Sequence, residues 1–244
     1  MPRSSAFSHD TAAQLQGIPL PWHRVARTGV DIAVPSPARA PHADGVRGHK
    51  LRLKPSDILI RPDGLRVTTP ARTWLDLGTS LSLLDLVAAG DFIVHWRRPL
   101  ASINQLRRGL RDRCSRRGLV ALQQAIGLLS DRSEAPPESM LRVIVILAGL
   151  PEPSINTVVT DRFGEFVART DLVIEEYLLV LEYMGDYHRT SVQQWRSDMT
   201  RRSRIEATGR RVMELNADDL RDPVELIDRI RRFAALGARG AAAQ

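Results

Sequence analysis

Asp171 and Glu182 are the residues of this chain best placed to do chemistry. Each stands near the end of a β-like run, and only LVIEEYLLVL lies between them. A short turn in that stretch brings the two strand ends together. Hydrolysis of a phosphodiester with a metal ion needs at least two hard oxygen ligands on a rigid frame and a group that handles protons. Leu178, Val180 and Glu182 fall on one face of the second run, and Tyr177, Leu179, Leu181 and Tyr183 on the other. A carboxylate that continues an apolar row is costly unless it is paired or metal-bound. The competing account is structural, a buried ion pair with Arg169 or Arg202.

Other polar groups follow closely. Gly185 permits a sharp exit from the strand and presents Asp186 and His188 at the sheet edge. His188 suits a general acid, a general base or a group that positions water. On the next helix Gln194, Asp198, Arg201, Arg202 and Arg204 are polar, while Trp195, Met199 and Ile205 look like core residues. Arg202, one turn after Asp198, either contacts a phosphate or pins a carboxylate.

The elements that must position these groups form an α-β-β-β-α-β-α order. Pro136 and Pro137 open a helix that carries Glu138, Leu141, Val145 and Leu147 and closes at Gly149. Strand-like runs follow at Ile155–Thr160, Phe166–Leu172 and Tyr177–Tyr183, the first two joined by the turn Asp161 to Gly164. A long helix spans Ser191–Ala207 and ends at Gly209, a suitable left-handed cap. Arg211–Leu215 is a further strand, and Asp218/Asp219 cap a last amphipathic helix.

Two zones precede this. Ser8 or Asp10 caps a short helix, and the Pro- and Gly-punctuated stretch after it holds β-like runs at Val30–Val34, Val46–Leu53 and Ile58–Ile60. Pro70 opens a helix through Leu77, and another covers Leu83–His95. His9 reads as a helix-entry residue and His42 and His49 as loop residues, because no third ligand stands at zinc-like spacing. From Trp96 to Gly118 eight arginines oppose one acid, Asp112. With Ile103, Leu106 and Leu110 at helical spacing, this is a basic amphipathic helix, either a solvated face or a patch that tracks phosphates.

The divisions expected are an α+β region over 1–95, a basic helical connector over 96–132, the chemistry-bearing domain over 133–236 and a disordered tail over 237–244. The chain carries a formal net charge of +7, nearly all of it from Arg, since Lys50 and Lys54 are the only lysines. Such a surplus favours polyanions through counterion release, although heavy Arg and Ala usage also follows from a GC-rich genome. Cys114 is the single cysteine, which excludes an intrachain disulfide and a Cys-based zinc site. The longest apolar run, Val143–Leu150, is too short for a membrane span, and the first residues lack a signal-peptide core. A cytoplasmic protein with no membrane association is the expectation.

Arg169-Thr-Asp-Leu172, then Leu181 to Arg189 (LEYMGDYHR), then Trp195 to Arg202 (WRSDMTRR) and the strand after Gly209 together resemble the very-short-patch-repair (Vsr-like) endonucleases of the PD-(D/E)XK superfamily. That resemblance, over roughly Glu138 to Arg232, implies a restriction-endonuclease-like fold, Mg²⁺ or Mn²⁺, and DNA as substrate. Carried over by position, it implies a metal held by Asp171 and Glu182, support from Glu138, proton transfer by His188 and phosphate stabilisation by Arg202. Asp186 and Asp198 are secondary members. Arg107, Arg108, Arg111, Arg201 and Arg204 are the expected DNA contacts. Met184 stands where relatives carry a carboxylate, and no lysine follows Lys54; a thioether is a poor ligand for a hard cation, so an impaired site is expected. The front half resembles AbiEi-type antitoxins, on Ser8 to Leu20 and Leu65 to Leu77, without their N-terminal winged helix. This resemblance implies the alternative function, a non-catalytic DNA-binding regulator or antitoxin of a type IV toxin–antitoxin system, with a cognate toxin protein as partner.

Overall fold

The computed structural model describes residues 4–112, 115–185 and 192–241, without the side chains of residues 192, 194, 195 and 236–241. The chain divides into two compact units, Met1–Asp131 and Arg132–Gln244. Both mix helices with a mixed sheet, so the α/β class is as expected.

The first unit comprises β1 (Ala6–Phe7), α1 (His9–Leu15), α2 (Trp22–Val25), β2 (Val30–Pro35), β3 (Val46–Leu51), β4 (Ile58–Ile60), β5 (Arg66–Thr68), α3 (Pro70–Leu77), α4 (Leu83–Val94), α5 (Ile103–Arg111) and α6 (Leu119–Leu128). Its sheet runs β3-β2-β1-β5-β4. The two-residue β1 at its centre pairs antiparallel with β2 and parallel with β5. Thr69 caps α3 by accepting from the Arg72 N–H, with Pro70 in the first turn. Leu106 on α5 and Leu122 on α6 are fully buried, and α5 packs on α3 while α6 packs on α4. The basic stretch is therefore part of the first unit's helical layer and not a separate connector. Its apolar stripe of Leu106 and Leu110 needs a partner, and α3 supplies it.

The second unit comprises α7 (Pro136–Leu147), β6 (Ser154–Thr160), β7 (Phe166–Ile174), β8 (Leu179–Tyr183), α8 (Val192–Glu206), β9 (Arg211–Leu215), α9 (Ala217–Arg221) and α10 (Pro223–Ala241). Its sheet order is β6-β7-β8-β9, the first two pairings antiparallel and the last parallel. The α-β-β-β-α-β order read from the sequence is the order observed. Beyond β9 one expected helix is two. Asn216, and not Asp218 or Asp219, caps α9, accepting from Asp218, while Asp219 returns a bond to the Asn216 N–H. The helix α10 then continues to Ala241, into the stretch expected to be a disordered tail.

Opposite faces of this sheet meet different helices. Val173, Val180 and Val212 pack with Ile205 of α8. On the other face Arg211 lies under the Phe233 ring of α10, and α10 in turn packs on α7. Leu178 does not extend the β8 row as expected, because it takes a left-handed conformation at φ 47° and half of it is exposed. No helix among the described residues is long and apolar enough to cross a membrane.

Candidate functional site

Pairing register decides which polar groups meet on the α8 face. Leu172 pairs with Leu181 and Val173 with Val180, which sets Asp171 opposite Glu182 one step further along. Glu182 pairs directly with Glu214 on the parallel strand β9. On the other side Ile155 pairs with Leu172 and Thr157 with Thr170, so Asn156 falls opposite Asp171. Asp171, Glu182 and Glu214 thus form one row across β7, β8 and β9, with Asn156 of β6 opposite Asp171. The row continues the apolar line of Val173, Val180 and Val212 past the edge of the core under α8.

Helix periodicity brings cations to this row. Arg201 stands one turn before the buried Ile205 and so shares its sheet-facing side. Its guanidinium grips Glu182 with both nitrogens, Nη2 donating to Oε1 at 2.7 Å and Nη1 donating to Oε2, and Nη2 also donates to the Arg169 carbonyl at 2.6 Å. Arg202, a further 100° round the helix, turns to Glu206 at 3.0 Å and Glu214 at 3.6 Å. Of the two ion-pair partners expected for Asp171 and Glu182 together, neither pairs with Glu182. Arg169 pairs instead with Glu134 at 2.5 Å, and Arg201 takes the place assigned to Arg202.

Each acid has a distinct environment. Asp171 is half-buried, and its Oδ2 accepts the Tyr183 N–H at 2.9 Å, so the side chain replaces a backbone ladder bond at the end of β8. Glu138, in the first turn of α7, accepts from the Glu134 N–H at 2.9 Å and from Asn156 Nδ2 at 3.0 Å. Burial pushes the Glu138 carboxyl above its ordinary value, and the Asp171 charge adds to this against those two bonds. Burial likewise raises Glu182, Arg201 opposes it, and the charges of Asp171 and Glu214 reinforce it. Among the described residues no three His, Cys, Asp or Glu groups converge as a metal-holding cluster.

Several expected members fall elsewhere or outside view. Asp186 and His188, with the side chain of Gln194, lie outside the described residues. Asp198 is half-buried on α8, and its charge reaches Arg201. Met184 donates its N–H to the Leu215 carbonyl at 2.6 Å. Arg107, Arg108 and Arg111 are exposed on α5 and form no ion pair among the described residues. Exposed Arg204 is free in the same sense and lines a cleft of about 580 Å³ between β7 and α8, together with Arg196, Arg169 and Arg201.

Three residues escaped the sequence reading: Asn156, Glu214 and Arg196. A signal for Glu214 exists in the repeated pattern Val180-Leu-Glu-Tyr183 and Val212-Met-Glu-Leu215. Two parallel strands with one pattern place like residues side by side. Asn156 offered no such signal, because its role depends on a left-handed backbone at φ 51° within a strand.

The first unit holds a second polar cluster. His49 is a β3 residue and not a loop residue, and its Nε2 lies 2.9 Å from Asp31 Oδ1. The His9 ring stacks on His49 with centroids 3.8 Å apart, and Arg47 binds Asp31 at 2.8 Å. Burial, then the neighbouring His49, lowers the His9 pKa to about 4. Burial works against the Asp31 carboxylate, yet bonds from His49 and Arg47 hold its pKa well below the usual range.

Comparison with known proteins yields sequence relatives alone. No family model matches the chain, and no solved structure does. Two curated relatives, described as uncharacterized proteins of Mycobacterium tuberculosis strains CDC 1551 and H37Rv, are each 27% identical over 176 residues. The match covers 71% of this chain and 64% of each relative, so it spans less than two thirds of their length.

Proposed function

We propose that the second unit is a nuclease-like domain of the restriction-endonuclease type that acts on DNA phosphodiesters with a divalent cation. The observation that carries this reading is the row Asp171–Glu182–Glu214, set at the edge of the α8-covered face beside a cleft lined with arginines. A structural ion pair alone needs one acid and one base. Here three acids stand on adjacent strands; Arg201 and Arg202 meet Glu182 and Glu214, and Asp171 forms no ion pair among the described residues, which leaves its carboxylate open to a cation.

The donor set fits a hard cation in type, since Asp171 and Glu182 offer carboxylate oxygens only. A bound Mg²⁺ or Mn²⁺ would supply charge neutralisation at a scissile phosphate and a more acidic water. Glu182 must then loosen its hold on Arg201, because the guanidinium occupies both of its oxygens. Arg201 so released is a phosphate ligand at the mouth of the cleft, the role the resemblance gave to Arg202. Glu138 and Asn156 hold the Asp171 end of the row in place, and Asp171 ties β7 to β8 through the Tyr183 N–H. Proton transfer by His188, which lies outside the described residues, rests on the sequence and the resemblance.

One observation favours the alternative. Both Glu182 oxygens are already satisfied by Arg201, and Met184 follows in place of a further carboxylate. A domain that binds DNA through its arginines without cutting it, as in an antitoxin-like regulator, needs no more than this. Plasmid nicking separates the two readings. Cleavage that requires Mg²⁺ or Mn²⁺ and disappears in Glu182→Gln supports the enzyme. Salt-sensitive DNA binding without cleavage at any cation concentration supports the regulator and contradicts the enzyme.

A further inference from the structure

We propose that the cleft between β7 and α8 is a binding subsite for single-stranded DNA, with Phe166 as the platform on which an unpaired base stacks. The inference deepens the reading of the second unit as a DNA-acting domain and rests on it. Phe166 lines the cleft and is 68% exposed, and its ring meets no aromatic or cationic partner among the described residues. An aromatic ring left in water at a cleft wall is an unspent apolar surface. The register shift between Val159 and Thr160 falls beside it, where Thr160 pairs with Phe166. Such an irregularity re-aims a side chain that regular alternation would place elsewhere.

The opposite wall supplies what a nucleotide's other half requires. Arg196 and Arg204 are exposed cations with no ion pair among the described residues, two helical turns apart on α8. Ser197 stands between them, adding a hydroxyl of the kind that hydrogen-bonds phosphate oxygens, while the Thr200 hydroxyl donates to the Arg196 carbonyl at 3.0 Å. A backbone laid along this wall places its bases toward Phe166. Intact duplex keeps its bases stacked on one another and offers no π-face to the ring, whereas a single strand does. Stacking of this kind tolerates any base, because every base has such a face. The cleft also reaches Arg201, and through it Glu182, so a strand held there leads to the acidic row.

Fluorescence anisotropy with the full chain in EDTA tests this, with labelled oligothymidylate of about 20 nucleotides and a duplex of equal length as probes. The expected result is single-strand binding about tenfold tighter than duplex binding. Phe166→Ala should weaken the single strand about tenfold, leave the duplex within about twofold, and be rescued by Phe166→Trp. The exposure of Phe166 makes a folding defect in these variants easy to exclude by circular dichroism. The double variant Arg196→Gln/Arg204→Gln should lower the single-strand salt slope by about 1.4. Equal affinity for duplex and single strand, or no loss in Phe166→Ala, would overturn the subsite while leaving the DNA-acting reading intact. Tighter binding of oligouridylate than of oligothymidylate would overturn DNA as its ligand. Binding of no probe at low salt would overturn the subsite and the reading beneath it together.

Discussion

Arg201 holds both oxygens of Glu182, and this pair sits at the end of an otherwise apolar row under α8. The guanidinium occupies the site from which a divalent cation would draw the same carboxylate. Arg201→Gln should therefore leave Glu182 buried without its partner and lower stability by about 1–3 kcal/mol, less than for a fully buried pair because Arg201 is partly exposed. Millimolar Mn²⁺ should restore more of the melting temperature in this variant than in wild type. An equal Mn²⁺ response in both proteins would show that cation and guanidinium do not share Glu182.

Glu138 and Glu182 both have raised carboxyl pKa values, with burial as the leading cause. The folded protein thus holds these protons more tightly than the unfolded chain does. The stability they contribute is full below the ordinary glutamate value and is lost as pH rises through the folded value. Cation binding has the opposite sign, because Glu182 must lose its proton to become a ligand. Mn²⁺ affinity measured calorimetrically should climb with pH beyond the ordinary glutamate range. Glu182→Gln should abolish that climb. An affinity that stays flat with pH above the ordinary glutamate range would contradict the assignment.

His9 behaves in the reverse way. Its pKa is lowered to about 4, so protonation disfavours the folded first unit. The stability it contributes is present above the ordinary histidine value near 6.5 and is lost as pH falls through about 4. The expected loss over that window is roughly 2–3 kcal/mol. His9→Asn removes the titration and suits the position, whose φ of 47° asparagine tolerates. Urea midpoints at pH 7 and pH 4.5 should differ less in this variant than in wild type. Equal pH dependence in the two would exclude His9 as the source.

Met184 lies two positions beyond Glu182, with its N–H fixed on the Leu215 carbonyl. Met184→Asp leaves that backbone bond in place and adds a hard oxygen donor close to Glu182. The nuclease reading expects Mn²⁺ to bind several-fold more tightly and any nicking activity to rise. Unchanged affinity would mean that position 184 does not face the acidic row.

The back half was more legible in the sequence than the front. Strands β6 to β9 have clear alternation and turn residues, and that pattern places Asp171 and Glu182 on neighbouring strands. The choice between Arg201 and Arg202 was not legible in the same way. It depends on a 100° rotation about α8, which a helix with few apolar residues does not announce; only the buried Ile205 one turn on does so. In the front half β1 and β5 were missed because two or three residues carry no periodicity. Their strand character comes from the sheet on either side. His49 was read as a loop residue for want of a third ligand at zinc-like spacing, although it lies inside the β-like run Val46–Leu53, which the structure forms as β3. The tertiary contact with His9 is what gives it a place.

The proposed function requires that the carboxylates of Asp171 and Glu182 on β7 and β8 hold a divalent cation. Mn²⁺ titration of the full chain followed by electron paramagnetic resonance measures this directly, with Asp171→Asn as the control. Asp171 is half-buried and not a core residue, so circular dichroism can confirm that the variant is folded. Wild type should bind one Mn²⁺ per chain, and Asp171→Asn should lose at least about tenfold in affinity, a difference of about 1.4 kcal/mol. Wild type that binds no Mn²⁺ at millimolar concentration, or a folded variant that binds it equally well, would contradict the claim.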